Sequence, residues 1–135
     1  VADRTNHRIQ VYDLEGSFVR SFGSEVLNSP SAFAIDDSHM IVAELRARLA
    51  VFDIEDVFIT YIGENESISR VKRNSPEDVP GWPNNIDGKG NTVRSKILEP
   101  GKFNSPHGIA TDESGNIYSG EWLIGGRYTK LEKIN

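Results

Sequence analysis

The sequence predicts an all-β chain built from repeated units of up to four short antiparallel strands. Three observations lead there. A segment near the start returns 40 residues later, and a third relative of it lies near the C-terminus. Short apolar runs end in Asp and are followed by turn residues, with Gly115 and Asn116 the clearest pair. No window sustains the i, i+3, i+4, i+7 spacing of an amphipathic helix. Four short strands in about 40 residues is the pattern of one blade of a β-propeller.

The first unit, residues 1–24, holds VADR, then RIQVYD and FVRSFG, and lacks an innermost strand. The second, residues 30–63, carries four strand-like runs in succession: AFAID, MIVAE, RLAVFD and FITYIG. Val11 and Val51, Asp13 and Asp53, Phe18 and Phe58, and Gly23 and Gly63 are each 40 apart, and Arg8 returns as Arg48. VADR matches VAEL at an offset of 41. The third unit, residues 102–135, carries HGIATD, IYSGE and RYTKLEK, with no clear last strand. Pro30 and Asp36 recur 76 residues later as Pro106 and Asp112; Glu44 recurs as Glu121 and Arg48 as Arg127. The excess over one period (76 − 40 = 36) marks an insertion at residues 64–101. Four prolines, four glycines and a balance of six acids with six bases make it read as a long surface loop. Trp82 is its one large apolar anchor, and the basic cluster from Arg70 to Arg73 reads as solvated loop.

The 135 residues suit one domain. Lysine and arginine total 15 against 20 acids, a net charge of −5, which argues against nucleic-acid partners. Nothing approaches the roughly 18 consecutive apolar residues of a membrane span. Cysteine is absent, which excludes a disulfide scaffold, Cys-ligated zinc and a thiol nucleophile. The chain opens at Val1 inside a patterned strand, so it is expected to be a piece of a longer protein.

VADRTNHRIQVYDLEGSFVRSFG resembles the NHL repeat: a strand ending in Ala-Asp, an Asn in the turn, Arg-Ile-Gln, then an aromatic before Asp and Gly. SPHGIATDESGNIYSGEW resembles the opening half of the same repeat. The resemblance covers about three quarters of the chain. It implies a partial β-propeller of about three blades, in a family commonly six-bladed, with the remaining blades of the parent propeller as partners. A narrower resemblance joins Pro106 and His107 to exported NHL proteins and to the lyase that releases amidated peptides from peptidyl-α-hydroxyglycine. There such histidines bind a catalytic zinc in the central channel. The resemblance therefore implies His107 as a zinc ligand and an extracellular or periplasmic setting. Gly108 stands where the lyase has a calcium-binding acid, which makes calcium the poorer fit, and Ser31 stands where another histidine belongs.

Strand parity puts His107, Asp3, Glu44, Glu121, Arg8, Arg48, Arg127, Trp122 and the insertion on one face, around the channel mouth. Asp3 with Arg8, Glu44 with Arg48 and Glu121 with Arg127 are expected to pair across equivalent hairpins. That recurrence is explained either by structure or by ligand binding. Arg8, Arg48, Glu121, Trp122 and Arg127 are the candidate ligand-binding residues, and Asp3, Glu44, Asp36 and Asp112 the structural ones. His107 is expected to point to the propeller axis. His7 is expected to be exposed in an outer turn, and His39 falls on the opposite face without a role. Ser105, His107 and Asp112 come from one strand and form no triad. Two functions follow: a scaffold binding a protein or small molecule at the channel face, or a zinc-dependent lyase. An open set of blades also exposes faces that ordinarily meet neighbours, which favours self-association.

Overall fold

The computed structural model describes residues 1–70 and 79–134, and the chain is all-β. Strands β1 (Ala2–Asp3), β2 (Arg8–Tyr12) and β3 (Phe18–Phe22) form a three-stranded antiparallel sheet, with one 3-10 turn at Arg4–Asn6. β4 (Pro30–Ile35), β5 (His39–Glu44), β6 (Arg48–Asp53) and β7 (Phe58–Ile62) form a four-stranded meander. A single helical turn, α1 (Glu66–Ser69), and a small hairpin of β8 (Asn85–Ile86) and β9 (Thr92–Val93) follow. β10 (Pro106–Thr111), β11 (Ile117–Glu121) and β12 (Arg127–Leu131) form the third meander. No helix among the described residues is long and apolar enough to cross a membrane.

The middle sheet is covered on both sides, which explains why MIVA and LAVF are continuous apolar runs. Val42, Ala50 and Phe52 meet Ile9 and Leu27, with Phe22 and Ala2 packed alongside. On the other side Ile41, Ala43, Leu49 and Val51 meet Phe103, with Ile109, Ile117 and Leu131 around them. The first strands of the second and third units also run side by side. The Ser31 hydroxyl lies 2.9 Å from the Ala43 carbonyl and 3.0 Å from the Pro106 carbonyl, and Thr111 donates to the Ile35 carbonyl. Irregularities repeat with the strands. Register shifts fall just after Pro30 and just after Pro106, and again after Val11 and after Val51.

The repeat survives the insertion. Leu27 N–H donates to Gly23 C=O at 2.7 Å, and Phe103 N–H donates to Gly63 C=O at 2.9 Å. In both places an apolar side chain seats on a glycine of positive φ. The first connection takes four residues and the second takes 40, and the excess of 36 is the length the insertion adds to the period. At Gly63 a Cβ would lie 2.6 Å from the Phe103 ring, at φ +61. Gly63→Ala is therefore expected to cost about 2–4 kcal/mol, from backbone strain plus overpacking. Gly88→Ala, with open space at its Cβ and no left-handed φ, is the control. Urea unfolding of both variants checks the difference.

The insertion is more than the surface loop expected from its Pro and Gly content. Ile68 is fully buried, and Ser69 and Ser95 are buried as well. Trp82 does anchor it: the indole N–H donates to the Asn104 carbonyl at 3.0 Å, and Arg46 stacks over the ring. Arg94 and Asn84 hold the β11–β12 turn through Gly126 C=O and Ile124 N–H. Its hairpin turn DGKGN copies DESGN of the third unit. Asp87 accepts from Lys89 N, Asn91 N and Asn91 Nδ2, as Asp112 accepts from Ser114 N, Asn116 N and Asn116 Nδ2. Of the basic cluster, Arg70 pairs with Glu66 at 2.9 Å, while Val71, Lys72 and Arg73 lie outside the described residues.

Candidate functional site

Each acid expected at the end of a strand faces its arginine across the hairpin. Asp3 and Arg8 meet at 2.9 Å, Glu44 and Arg48 at 2.6 Å, and Glu121 and Arg127 in a short contact. In the second and third units the same acid also receives the loop that enters the unit. Glu44 accepts the backbone N–H groups of Asn28 and Ser29; Glu121 accepts those of Asn104 and Ser105. The arginine closes the same loop from the other side. Arg48 Nη2 donates to Val26 C=O at 2.9 Å, and Arg127 Nη2 donates to Lys102 C=O at 2.5 Å, 76 residues apart.

Both glutamate side chains are fully buried. Arg48 additionally bonds Glu64 at 3.0 Å and stacks on Tyr61. Burial alone would favour neutral forms, but the paired charge outweighs it. Arg48 is held above its usual range by Glu44, and Glu64 below its usual range by the Ser69 hydroxyl and Arg48. Arg48, Glu121 and Arg127 are among the residues expected to bind a ligand, and these are the contacts they make within the chain. Their polar atoms are committed to the chain's own loops, so their geometry is that of clamps. Arg8 bonds Asp3 through Nε and is the most exposed of the three arginines.

His107 and Trp122 are different. His107 is exposed at the start of β10, and Trp122 is 60% exposed just after β11, with ring centroids 6.4 Å apart. With Gly108, Gly120 and Tyr128 they line a shallow concavity. The backbone beneath is fixed from both sides: Trp122 N–H donates to Ser105 C=O, and the Ser105 hydroxyl donates to Trp122 C=O. The insertion's contacts with Asn104 and residues 124–126 bring it to the same end of the sheet. The imidazole shares a wall with the uncovered sheet face that carries Tyr128.

The other expected residues are structural or remote. Asp36 caps its turn through Ser38 and His39 N–H, and Asp112 does so through Asn116 and Ser114. Bonds from Asn116 above all hold Asp112 below the usual carboxylate range. His39 contacts Asp36 at 3.4 Å. His7 is a correction. It is half-buried at φ +59, with Nδ1 on the Asn28 carbonyl, because the turn's left-handed residue is aimed back at the neighbouring loop.

Sequence reasoning missed Asn28 and Asn104. Each donates its backbone N–H to the clamp glutamate and its side-chain N–H to the insertion, Asn28 to Ser69 C=O and Asn104 to Pro83 C=O. The signal was present as the tripeptide Asn-Ser-Pro at residues 28–30 and 104–106. No family model matches the chain, and no curated protein matches it.

Proposed function

We propose that the chain is three blades of an NHL-type β-propeller and works as a binding scaffold for a protein or small-molecule ligand. The observation that carries this reading is the exposed corner of His107, Trp122 and Tyr128, set on the clamp of buried Glu121 with Arg127 and bordered by the insertion. A rigid base with exposed rings suits recognition of a planar or apolar group: Trp122 offers a face for stacking, and His107 offers a polar edge. The propeller reading draws support from the three repeated sheets, whose faces cover one another in chain order, and from the adjacent first strands β4 and β10.

The test is a fragment and peptide screen read by protein NMR on the wild type and Trp122→Ala. Binders are expected to shift the amides around His107 and Trp122 and to lose at least tenfold in affinity in the variant, about 1.4 kcal/mol or more. Binders that all map elsewhere would defeat the reading.

The second reading, a zinc-dependent lyase, rests on Pro106 followed by an exposed His107 at the concavity. Catalytic zinc takes about three protein ligands. Among the described residues no three His, Asp or Glu side chains come together, and Glu121 is held by Asn104, Ser105 and Arg127. The described residues therefore do not make the site by themselves, and no catalytic step is assigned. Metal analysis of the full-length protein separates the readings. Zinc lost in His107→Ala would favour the lyase; equal zinc in both, or none in either, would remove it.

A further inference from the structure

The insertion and the strand that follows it hold a cavity of about 270 Å3. Among the described residues it shares no lining side chain with the corner of His107 and Trp122. Its apolar walls are Ile68, Pro80, Trp82, Pro83 and Ile97. Ile68 is fully buried, while Ile97 is 46% exposed and stands at the mouth. No charged side chain lines the cavity among the described residues.

Asn104 stands in this wall with all but one of its polar groups in use. Its backbone N–H donates to Glu121, its C=O accepts the Trp82 indole N–H at 3.0 Å, and its Nδ2 donates to Pro83 C=O at 2.7 Å. Asn104 is 1% exposed, and its Oδ1 has no partner. Buried side-chain oxygens are ordinarily satisfied, so this acceptor calls for a donor that the chain does not supply. Asn84 and Asn85, which also line the cavity, offer the complement. Asn84 Oδ1 accepts Ile124 N–H at 2.7 Å, and Asn85 Oδ1 accepts Lys96 N–H at 2.8 Å. A backbone N–H must meet the oxygen of an amide, so both side chains are fixed in orientation. Each is left with an NH2 group that donates to no other described residue.

We propose that this cavity is a second binding site, for a neutral amide that carries a small branched apolar group. The ligand N–H supplies the donor that Asn104 Oδ1 lacks. The ligand C=O accepts from Asn84 or Asn85, and the apolar group packs among Ile68, Trp82 and Ile97. A carboxylate brings no donor, and no cation lines the cavity to offset its burial. An ammonium brings no acceptor for the two NH2 groups. The volume lies below the roughly 300–1,000 Å3 of sites for drug-sized ligands, so the site takes one terminal carboxamide or one peptide unit.

The probes are isobutyramide, N-methylisobutyramide, isobutyrate and isobutylammonium, which share one branched group and differ in charge and donors. Each is titrated into isotopically labelled protein and followed by NMR. Isobutyramide is expected to shift the Trp82 indole N–H and the side-chain amides of Asn84, Asn85 and Asn104, and both ions to bind at least tenfold more weakly. Equal binding of the N-methyl amide identifies a peptide unit as the ligand; its exclusion identifies a terminal carboxamide. Ile97→Trp, which fills the mouth, is expected to weaken isobutyramide at least tenfold while the amides around His107 and Trp122 keep their wild-type positions. Should that variant fail to fold, the four probes on the unmodified chain decide alone. Four results would overturn the proposal: equal response to the amide and the ions; shifts confined to residues outside the cavity; full amide binding in folded Ile97→Trp; or no shift up to the solubility of isobutyramide, which leaves the cavity to water. Because the two sites share no described lining residue, shifts at the corner alone would count for the scaffold reading and against this one.

Discussion

Glu44→Ala is expected to remove about 3–5 kcal/mol of stability, the usual cost of stripping one partner from a buried ion pair. The side chain is fully buried, and its loss strands Arg48 and the N–H groups of Asn28 and Ser29 together. Against a typical total of about 5–15 kcal/mol, that leaves the domain close to unfolding. The repeat supplies the comparison. Glu121→Ala should follow closely, since Glu121 is equally buried and holds Asn104 and Ser105. Asp3→Ala should cost only about 0.2–1 kcal/mol, because its partner Arg8 is 37% exposed and solvent takes over the lost contact. Adding Arg48→Leu to Glu44→Ala should recover part of the loss by removing the stranded charge. Urea midpoints of the four variants check the order. Equal losses at Asp3 and Glu44 would contradict it.

Phe52→Ala is expected to cost about 3–5 kcal/mol, as for other buried aromatic truncations. Phe52 is the ring through which the first two sheets meet. It stands edge-on to Phe22 at 5.3 Å and to Phe58 at 5.9 Å, and Phe58 in turn meets Tyr61. Tyr12→Ala at the equivalent position of the first unit should change monomer stability by less than about 0.5 kcal/mol, because its outer face is bare. The denaturant slope of Phe52→Ala tells more than its midpoint. An unchanged slope means that the two sheets still unfold together; a smaller one means that the first sheet has come loose.

Much of the strand layout was legible because it is local and repeated. Asp and Gly at turns, alternation within strands and the 40-residue period act within a few residues of each other, so they survive in a linear reading. The hairpin partners of Asp3, Glu44 and Glu121 were legible for the same reason, since each pair spans one tight turn. The insertion was read less well. Pro and Gly content signals irregular backbone but says nothing of burial, and Ile68 is fully buried. The repeat of DGKGN as DESGN was visible, but at 25 residues it broke the period that organised the search.

The clamp residues show where the division falls. By itself the sequence determined that the chain is all-β, that three units recur, and that an acid and an arginine recur at matching positions in each. Only the tertiary structure decided what those charges do. A linear pattern gives the sign and spacing of a charge but not its solvent exposure, and exposure separates a ligand contact from a buried clamp. Glu44 and Glu121 are buried because the loops at Asn28 and Asn104 fold over them, and Asp3 is not. The same holds for the aromatic residues: Phe52 and Tyr12 are the same position in the repeat, and only the sheet that covers it makes Phe52 a core residue while Tyr12 is exposed.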